Sequence, residues 1–247
     1  MTTLIKSLSE ILINQENLPS NQWQLRIVSS GDCQSYIVWN QSTHEALAID
    51  PKCEDLDAYL TIQKDPQADL QKYRWLGVVD THTHADHISA AAHLASLLLA
   101  PVFMQNSSAT ARVNFRIAKN SSFSSAAGPV RFILTPGHTP DAMCVVWGPF
   151  CFTGDTVLYN DCGRDDLPGG DAMAHYQSLQ LLKKEIDSET LMCPGHDAKG
   201  GRISNWGTQL KTNSSLTQDE KTFIEESVSF DAPAPATLKK SLFENFK

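Results

Sequence analysis

Trp75-Leu76-Gly77-Val78-Val79-Asp80 runs directly into Thr81-His82-Thr83-His84-Ala85-Asp86-His87. The first stretch reads as the end of a buried strand, and the second as the loop that follows it. Three imidazoles and one carboxylate fall between His82 and His87. Side chains alternate along an extended segment, so His82 and His84 can face the same side. Asp86 and His87 then lie on the turn into a helix expected over Ile88–Leu99 and approach from another direction. Nitrogen and oxygen donors without thiolate suit zinc or iron. A polar loop that merely happens to be rich in His would leave no further ligands downstream.

Further ligands do follow. His138 stands in Thr135-Pro136-Gly137-His138-Thr139, Asp155 in Phe152-Thr153-Gly154-Asp155, and His196 in Pro194-Gly195-His196-Asp197. Each comes just past an apolar run: Val130–Leu134, Cys144–Phe152 and Thr190–Cys193. Donors at the ends of several strands, on loops held by a scaffold, are how folds assemble sites. Five of the eight His belong to these segments. His44 is read as a surface-turn residue, and His93 and His175 as ordinary helix residues.

Taken together, T-H-x-H-x-D-H, G-H-T, T-G-D and G-H, in this order over residues 81–197, resemble the metallo-β-lactamase superfamily. The resemblance implies an αββα sandwich, an α/β fold with the metal site at one edge between two sheets. The residues agree with it. Strands are expected at Trp23–Val28, Ser35–Trp39, Ala46–Ile49, Gly77–Val79, Val102–Met104, Val130–Leu134, Met143–Trp147 and Thr190–Cys193. Helices are expected near Thr3–Ile13, Glu54–Gln63, Ile88–Leu99 and Ala172–Ile186, in pieces after Ser204, and over Leu238–Phe246. Strands mixed with helices of this length suit a layered α/β protein.

Composition sets outer bounds. A chain of 247 residues with 41% hydrophobic and 19% charged residues can bury one substantial core. We expect a single domain over 1–247 with a short C-terminal helical extension. The formal net charge of −8 speaks against nucleic acid or an anionic membrane as partner. No apolar stretch reaches the roughly 18 residues of a membrane span. The first 26 residues lack a signal-peptide core, so a cytoplasmic location is expected. A homodimer is compatible with the sequence. Of the six Cys, none pairs in C-x-x-C spacing. Cys144, Cys151 and Cys193 read as small core hydrophobes, and Cys162 as a packing residue near the pocket. Ser121–Ser125 reads as a flexible loop, Asp165–Asp171 as a turn-rich pocket wall, and Asp231–Pro235 as an extended break.

Fold alone does not choose the reaction. Resemblance to the hydroxyacylglutathione hydrolases (glyoxalase II) implies two Zn(II) per chain. His82, His84 and His138 would hold one ion, Asp86, His87 and His196 the other, and Asp155 would bridge. A hydroxide of lowered pKa would attack a glutathione thioester. Resemblance to the persulfide dioxygenases implies one Fe(II) per chain on His82, His138 and Asp155, the facial-triad pattern with open positions. The substrate would be a low-molecular-weight thiol persulfide, oxidised by O₂ to sulfite. A pure binding module on a hydrolase fold would have lost ligands, and here none is missing.

The surroundings favour the dioxygenases. Leu25–Pro51 is similar to their opening hairpins and Ile-Asp-Pro ending. Cys162-Gly163-Arg164-Asp165-Asp166 is similar to their C-G-R-T-D. His196-Asp197, Gly200, Ser204, Asn213 and Leu216-Thr217 resemble their H-D-x-x-G, Ser, Asn and L-T pattern. Only 51 residues follow His196, where glyoxalase II carries a larger helical domain. The chain departs from the dioxygenases at Ala198, where they carry Tyr, at Leu167, where they carry an aromatic, and at the Pro168-Gly169-Gly170 insert. The thiol carrier is therefore open. Arg164 is expected either to bind a substrate carboxylate through a two-pronged contact or to pair with a neighbouring Asp.

Overall fold

The computed structural model describes residues 9–12, 22–66, 68–199, 201–230 and 232–247. Two sheets pack face to face. The first has seven strands in chain order: β1 (Ser9–Leu12), β2 (Trp23–Ser30), β3 (Cys33–Asn40), β4 (Glu45–Ile49), β5 (Arg74–Val79), β6 (Val102–Gln105) and β7 (Phe115–Ile117). The second holds β8 (Ser122–Ser125), β9 (Gly128–Leu134), β10 (Met143–Trp147), β11 (Phe150–Gly154), β12 (Leu191–Pro194) and β13 (Ser204–Asn205), in the order β13-β12-β11-β10-β9-β8.

Strand alternation sorts the side chains into layers. Tyr36 and Val38, Leu47 and Ile49, Val145 and Trp147, and Phe150 and Phe152 point inward and form the core between the sheets. Their neighbours Ile37 and Trp39, and Ala46 and Ala48, point outward. There they meet α1 (Leu56–Lys64) and α2 (Ala91–Leu98) through Tyr59, Ile62 and Leu94. On the second sheet Cys144, Cys151 and Met192 face outward onto α3 (Ala172–Glu185) and onto the helices α4 (Trp206–Thr212), α5 (Ser214–Thr217) and α6 (Glu220–Ser229). The result is the expected αββα sandwich, closed at the C-terminal side by α7 (Leu238–Asn245).

Strand directions place the site. β9 and β11 are each antiparallel to β10, and β12 is parallel to β11. The carboxyl ends of β9, β11 and β12 therefore share one edge, and His138, Asp155 and His196 follow them. Carboxyl ends of parallel strands are where α/β sheets bind ligands. The β2–β3 turn bridges the sheets at this edge: Gln34 N donates to Gly195 O at 2.7 Å and Asp197 N to Asp32 O at 2.8 Å.

Several expectations are corrected. Of the helix expected over Thr3–Ile13, residues 3–8 and 13 lie outside the described residues, and Ser9–Leu12 is a strand paired to β2. Ser121–Ser125 is not a loop: Ser122–Ser125 forms β8 against β9, with Phe123 stacked on Phe103 and packed against Phe132. Its polar outer face hid it. The helix expected from Ile88 begins at Ala91, because the backbone of Ile88 and Ala90 bonds to Cys53 and Pro51 instead. Asp231 and Gly200 lie outside the described residues. No described helix is long and apolar enough to cross a membrane.

Candidate metal centre

The loop after β5, the two loops after β9 and β11, and the turn after β12 bring all seven expected donors together. His82, His138 and Asp155 offer ligand atoms within 4.8 Å of one another. Asp155 Oδ2 lies 3.5 Å from His138 Nε2, 3.3 Å from His196 Nε2 and 4.0 Å from His82 Nε2. His196 Nε2 is also 3.6 Å from Asp86 Oδ2. The ring centroids of His82 and His84 are 4.2 Å apart, and those of His84 and His87 4.1 Å. Asp155 thus faces both halves of the cluster.

Four of the five rings are each oriented by the second nitrogen, as metal-ligating imidazoles require. Thr81 Oγ1 donates to Asp50 Oδ2 at 2.8 Å, so its lone pair accepts from His82 Nδ1 at 3.0 Å. His84 Nε2 donates to Asp50 Oδ1 at 3.2 Å, His87 Nδ1 to Asp86 Oδ2 at 3.0 Å, and His138 Nδ1 to the Arg164 carbonyl at 2.5 Å. These tautomers turn Nε2 of His82, Nδ1 of His84, Nε2 of His87 and Nε2 of His138 inward as acceptors. His84 Nδ1, His87 Nε2 and Asp155 Oδ1 are buried and have no hydrogen-bond partner. An orphaned buried polar atom costs about 1–3 kcal/mol. His84 Nδ1 and His87 Nε2 stand beside the ligand atoms of His82, His138 and Asp155, which lie within 4.8 Å of one another, and unpartnered donors so placed are what a cation would satisfy, so the donor set fits a metal.

Electrostatics agree. Burial pushes the His82 and His138 imidazoles below their ordinary pKa, which keeps them neutral, the form that ligates. Burial alone would raise the Asp155 carboxyl, but His196, His138 and His82 hold it far below the ordinary range. The Asp155 carboxylate in turn pushes His196 up to about 12. A proton is drawn to the place between these residues that a cation suits.

Glycines in the motifs have a steric reason. A Cβ at Gly195 would lie 2.4 Å from Asp155 Oδ1. Gly154 adopts φ +49, and a Cβ there would meet Thr81 Oγ1 at 2.3 Å.

Three residues at the centre were not legible in the local motifs. Cys33, on the β2–β3 turn, donates from Sγ to Asp86 Oδ2 at 3.0 Å. Asn245, on α7, accepts from Ser89 N and donates to the His84 and His87 carbonyls, all at 2.9 Å. Thr237 adds a bond to the Asp86 carbonyl at 2.9 Å. The contacts of Cys33 and Asn245 span 53 and about 160 residues of chain, and no local motif reports them.

The remaining His fall as expected. His44 is exposed and lies against Tyr73, and His93 is exposed on α2. His175 is fully buried on α3, bonded to Asp165 Oδ2 at 3.1 Å and to the Thr156 carbonyl at 2.9 Å. Cys162 packs among the outer core residues, and burial pushes its thiol up to about 12.

A cleft of about 1210 Å³ opens over the cluster. Asp86, His87, His138, Asp155 and His196 form its floor, and Tyr159, Leu167, Pro235 and Ala198 are among its walls. Arg164 lines it too, with its guanidinium engaged by the chain. Nε and Nη2 each donate to Asp166 at 2.6 Å, and further bonds reach the carbonyls of Pro233 and Ala232 at 2.9 and 2.8 Å.

The sequence pattern of the Metallo-beta-lactamase superfamily matches residues 32–196. Persulfide dioxygenase ETHE1, mitochondrial, of Bos taurus is 28% identical over 216 residues, covering 86% of this chain and 83% of its own. The probable polyketide biosynthesis zinc-dependent hydrolase BaeB of Bacillus velezensis is 29% identical over 170 residues, covering 65% and 71%. The crystal structure of ETHE1 from Myxococcus xanthus superposes with a TM-score of 0.81 at 26% identity, covering 90% of this chain and 97% of that one. The fold, the matched region and these relatives make the chain a metallo-β-lactamase-fold enzyme and a member of the metallo-β-lactamase superfamily.

Proposed function

We propose that this chain is a persulfide dioxygenase, a single metallo-β-lactamase-like domain over 1–247 with a short C-terminal helical extension. It oxidises a low-molecular-weight thiol persulfide with O₂ to sulfite. The observation that carries the reading is the similarity to persulfide dioxygenases along 86% of the chain. His82, His138 and Asp155 would hold one Fe(II), which supplies a redox-active centre with positions left for both reactants. One O₂ and one water are consumed per persulfide. The terminal sulfur is oxidised, the S–S bond breaks, and the thiol leaves with a proton.

The chain's own residues do the rest. The Arg164 carbonyl and the Thr81 hydroxyl fix the His138 and His82 rings on one side of Asp155. His84, Asp86, His87 and His196 line the other side, where they orient water and the persulfide sulfur. Holding both reactants over one centre supplies the proximity that catalysis needs.

A second reading is favoured by one observation. Asp155 Oδ2 lies within 3.3 Å of His196, and His196 within 3.6 Å of Asp86, the grouping a second Zn(II) would take in a glutathione thioesterase. Elemental analysis of protein purified anaerobically separates the two. Near-stoichiometric iron, with O₂ uptake on persulfides, is expected. About two zinc per chain with efficient thioester hydrolysis and no O₂ uptake would replace the dioxygenase reading.

A further inference from the structure

α3 turns one face to the second sheet, with His175, Ser178, Leu179 and Leu182 buried along it. Such a row suits apolar side chains, and Leu179 and Leu182 fill the outer core accordingly. His175 stands in the same row, fully buried. A polar ring so placed is costly unless its nitrogens find partners. Both do. Nε2 donates to the Thr156 carbonyl at 2.9 Å, and Nδ1 faces Asp165 Oδ2 at 3.1 Å. The other oxygen of Asp165 accepts from the Ser227 hydroxyl on α6. Burial alone would raise the Asp165 carboxyl, but His175 and Ser227 hold it below its ordinary range.

These partners belong to the segments that carry metal ligands. Thr156 directly follows Asp155. Asp165 directly follows Arg164, whose carbonyl accepts from His138 Nδ1 at 2.5 Å. Gly163, two positions before Asp165, donates from its N to the Asp155 carbonyl at 2.8 Å. The backbone of Gly137 lies against that of His175, so close that a Cβ on Gly137 would stand 2.2 Å from His175 Cα. Two neighbours on the helix fasten the same loop: Asp171 N donates to Gly137 O at 2.8 Å, and Ser178 Oγ to Pro136 O at 2.7 Å. One residue of α3 thus touches the loop after β9, the loop after β11 and the C-G-R-D-D turn.

We propose that His175 is a positioning residue: with Asp165 it clamps the loops of His138 and Asp155 together and so fixes the spacing of these two ligands. The role rests on His138 and Asp155 being metal ligands, and it is the same under either reaction. His175 acts on His138 through Asp165 and the Arg164 carbonyl, and on Asp155 through the backbone of Thr156. Supports behind ligating side chains set metal affinity. His175→Leu would fill the space but leave the Thr156 carbonyl and Asp165 Oδ2 without the ring.

The test uses the full chain with Co(II) alone as the probe. His175→Leu and Asp165→Ala should each weaken Co(II) about tenfold in a chelator competition and change its visible absorption. Asp165→Asn can still accept from Ser227 and can donate to Nδ1 of a neutral ring, so it should recover most of that loss. Leu182→Ala is the control. It empties part of the same outer core two turns along α3, and should lower the melting temperature while Co(II) affinity and absorption stay as in wild type. Unchanged Co(II) binding in His175→Leu and Asp165→Ala, an equal loss in Leu182→Ala, or no recovery in Asp165→Asn overturns the clamp. Should His175→Leu not fold, the two Asp165 variants and the control decide. The ligand assignment is checked apart, by Asp155→Ala. If that variant keeps full Co(II) affinity, the assignment fails, and the clamp is judged in the metal-free protein by NMR of the His138 Nδ1 proton. Loss of its protection from exchange in Asp165→Ala supports the clamp, and full protection there overturns it.

Discussion

β4 carries a buried carboxylate at each end, and the two meet opposite circumstances. At one end Glu45 accepts from the Ala126 and Ala127 amides at 3.1 and 3.0 Å and pairs with Arg74, tying the β8–β9 hairpin to the first sheet. Trp147 and Trp23 meet edge to face nearby, with ring centroids 4.8 Å apart. At the other end Asp50 accepts from Thr81 N at 2.6 Å, from the Thr81 hydroxyl and from His84. Glu45 ends its chain of contacts on two peptide groups and the Arg74 guanidinium. Asp50 passes its charge to a ring whose far nitrogen has no partner. One end of the sandwich is finished as a protein interior, and the other is left incomplete in a way that an ion completes. The difference shows how a single strand can serve stability at one end and chemistry at the other.

The largest break in this contrast is Asp155→Ala. It removes the oxygen facing three imidazoles, so metal content and activity should both fall to background while circular dichroism keeps the native signal. Full metal content in the variant would remove Asp155 from the ligand set. Asp50→Asn is the next. It leaves every ligand in place but puts an amide against His84, and metal affinity in a chelator competition should drop about 10–100-fold. Unchanged affinity would mean that Asp50 serves only the backbone.

Asn245→Ala and Glu45→Gln sharpen the comparison, because each removes buried hydrogen bonds worth about 1–3 kcal/mol of stability. Asn245→Ala should also speed metal release roughly fivefold, since it frees the His84 and His87 carbonyls. Glu45→Gln should leave metal release unchanged, and its effect should depend on pH. Burial alone would raise the Glu45 carboxyl, but the Ala126 and Ala127 amides and Arg74 hold it below its ordinary 4.5. The stabilisation is therefore complete above that ordinary value and is lost as pH falls through the lower, folded one. Denaturant melts at neutral and acid pH should show the gap between wild type and variant closing in acid. A gap that widens there would reverse the assignment.

The sandwich was legible where apolar residues alternate or run continuously, as in Ser35–Trp39, Ala46–Ile49 and Met143–Trp147. It was illegible at β8, where Phe123 is the one inward apolar residue of Ser122–Ser125, and at Ser9–Leu12, whose helical spacing is overruled by pairing with β2. That the seven candidate donors gather at one edge could be read because each motif is local and sits at a strand end. Their supports could not be read in full. Asp50 appeared only as the middle of Ile-Asp-Pro, and Cys33, Thr237 and Asn245 reach the centre through tertiary contacts. Arg164 invited a substrate role by type, yet its fork is filled by Asp166, two positions away.

The Asn245 contacts also impose an order of events on synthesis. The carbonyl of His84 and the side chain that holds it are 161 residues apart. A nascent chain that has made Thr81–His87 owns the donor atoms but not yet the latch that sets their spacing. Long-range closure of this kind comes late in folding. The choice among competing ions therefore falls to the folded enzyme and its assembled cavity, after the ribosome has moved well beyond the histidine motif.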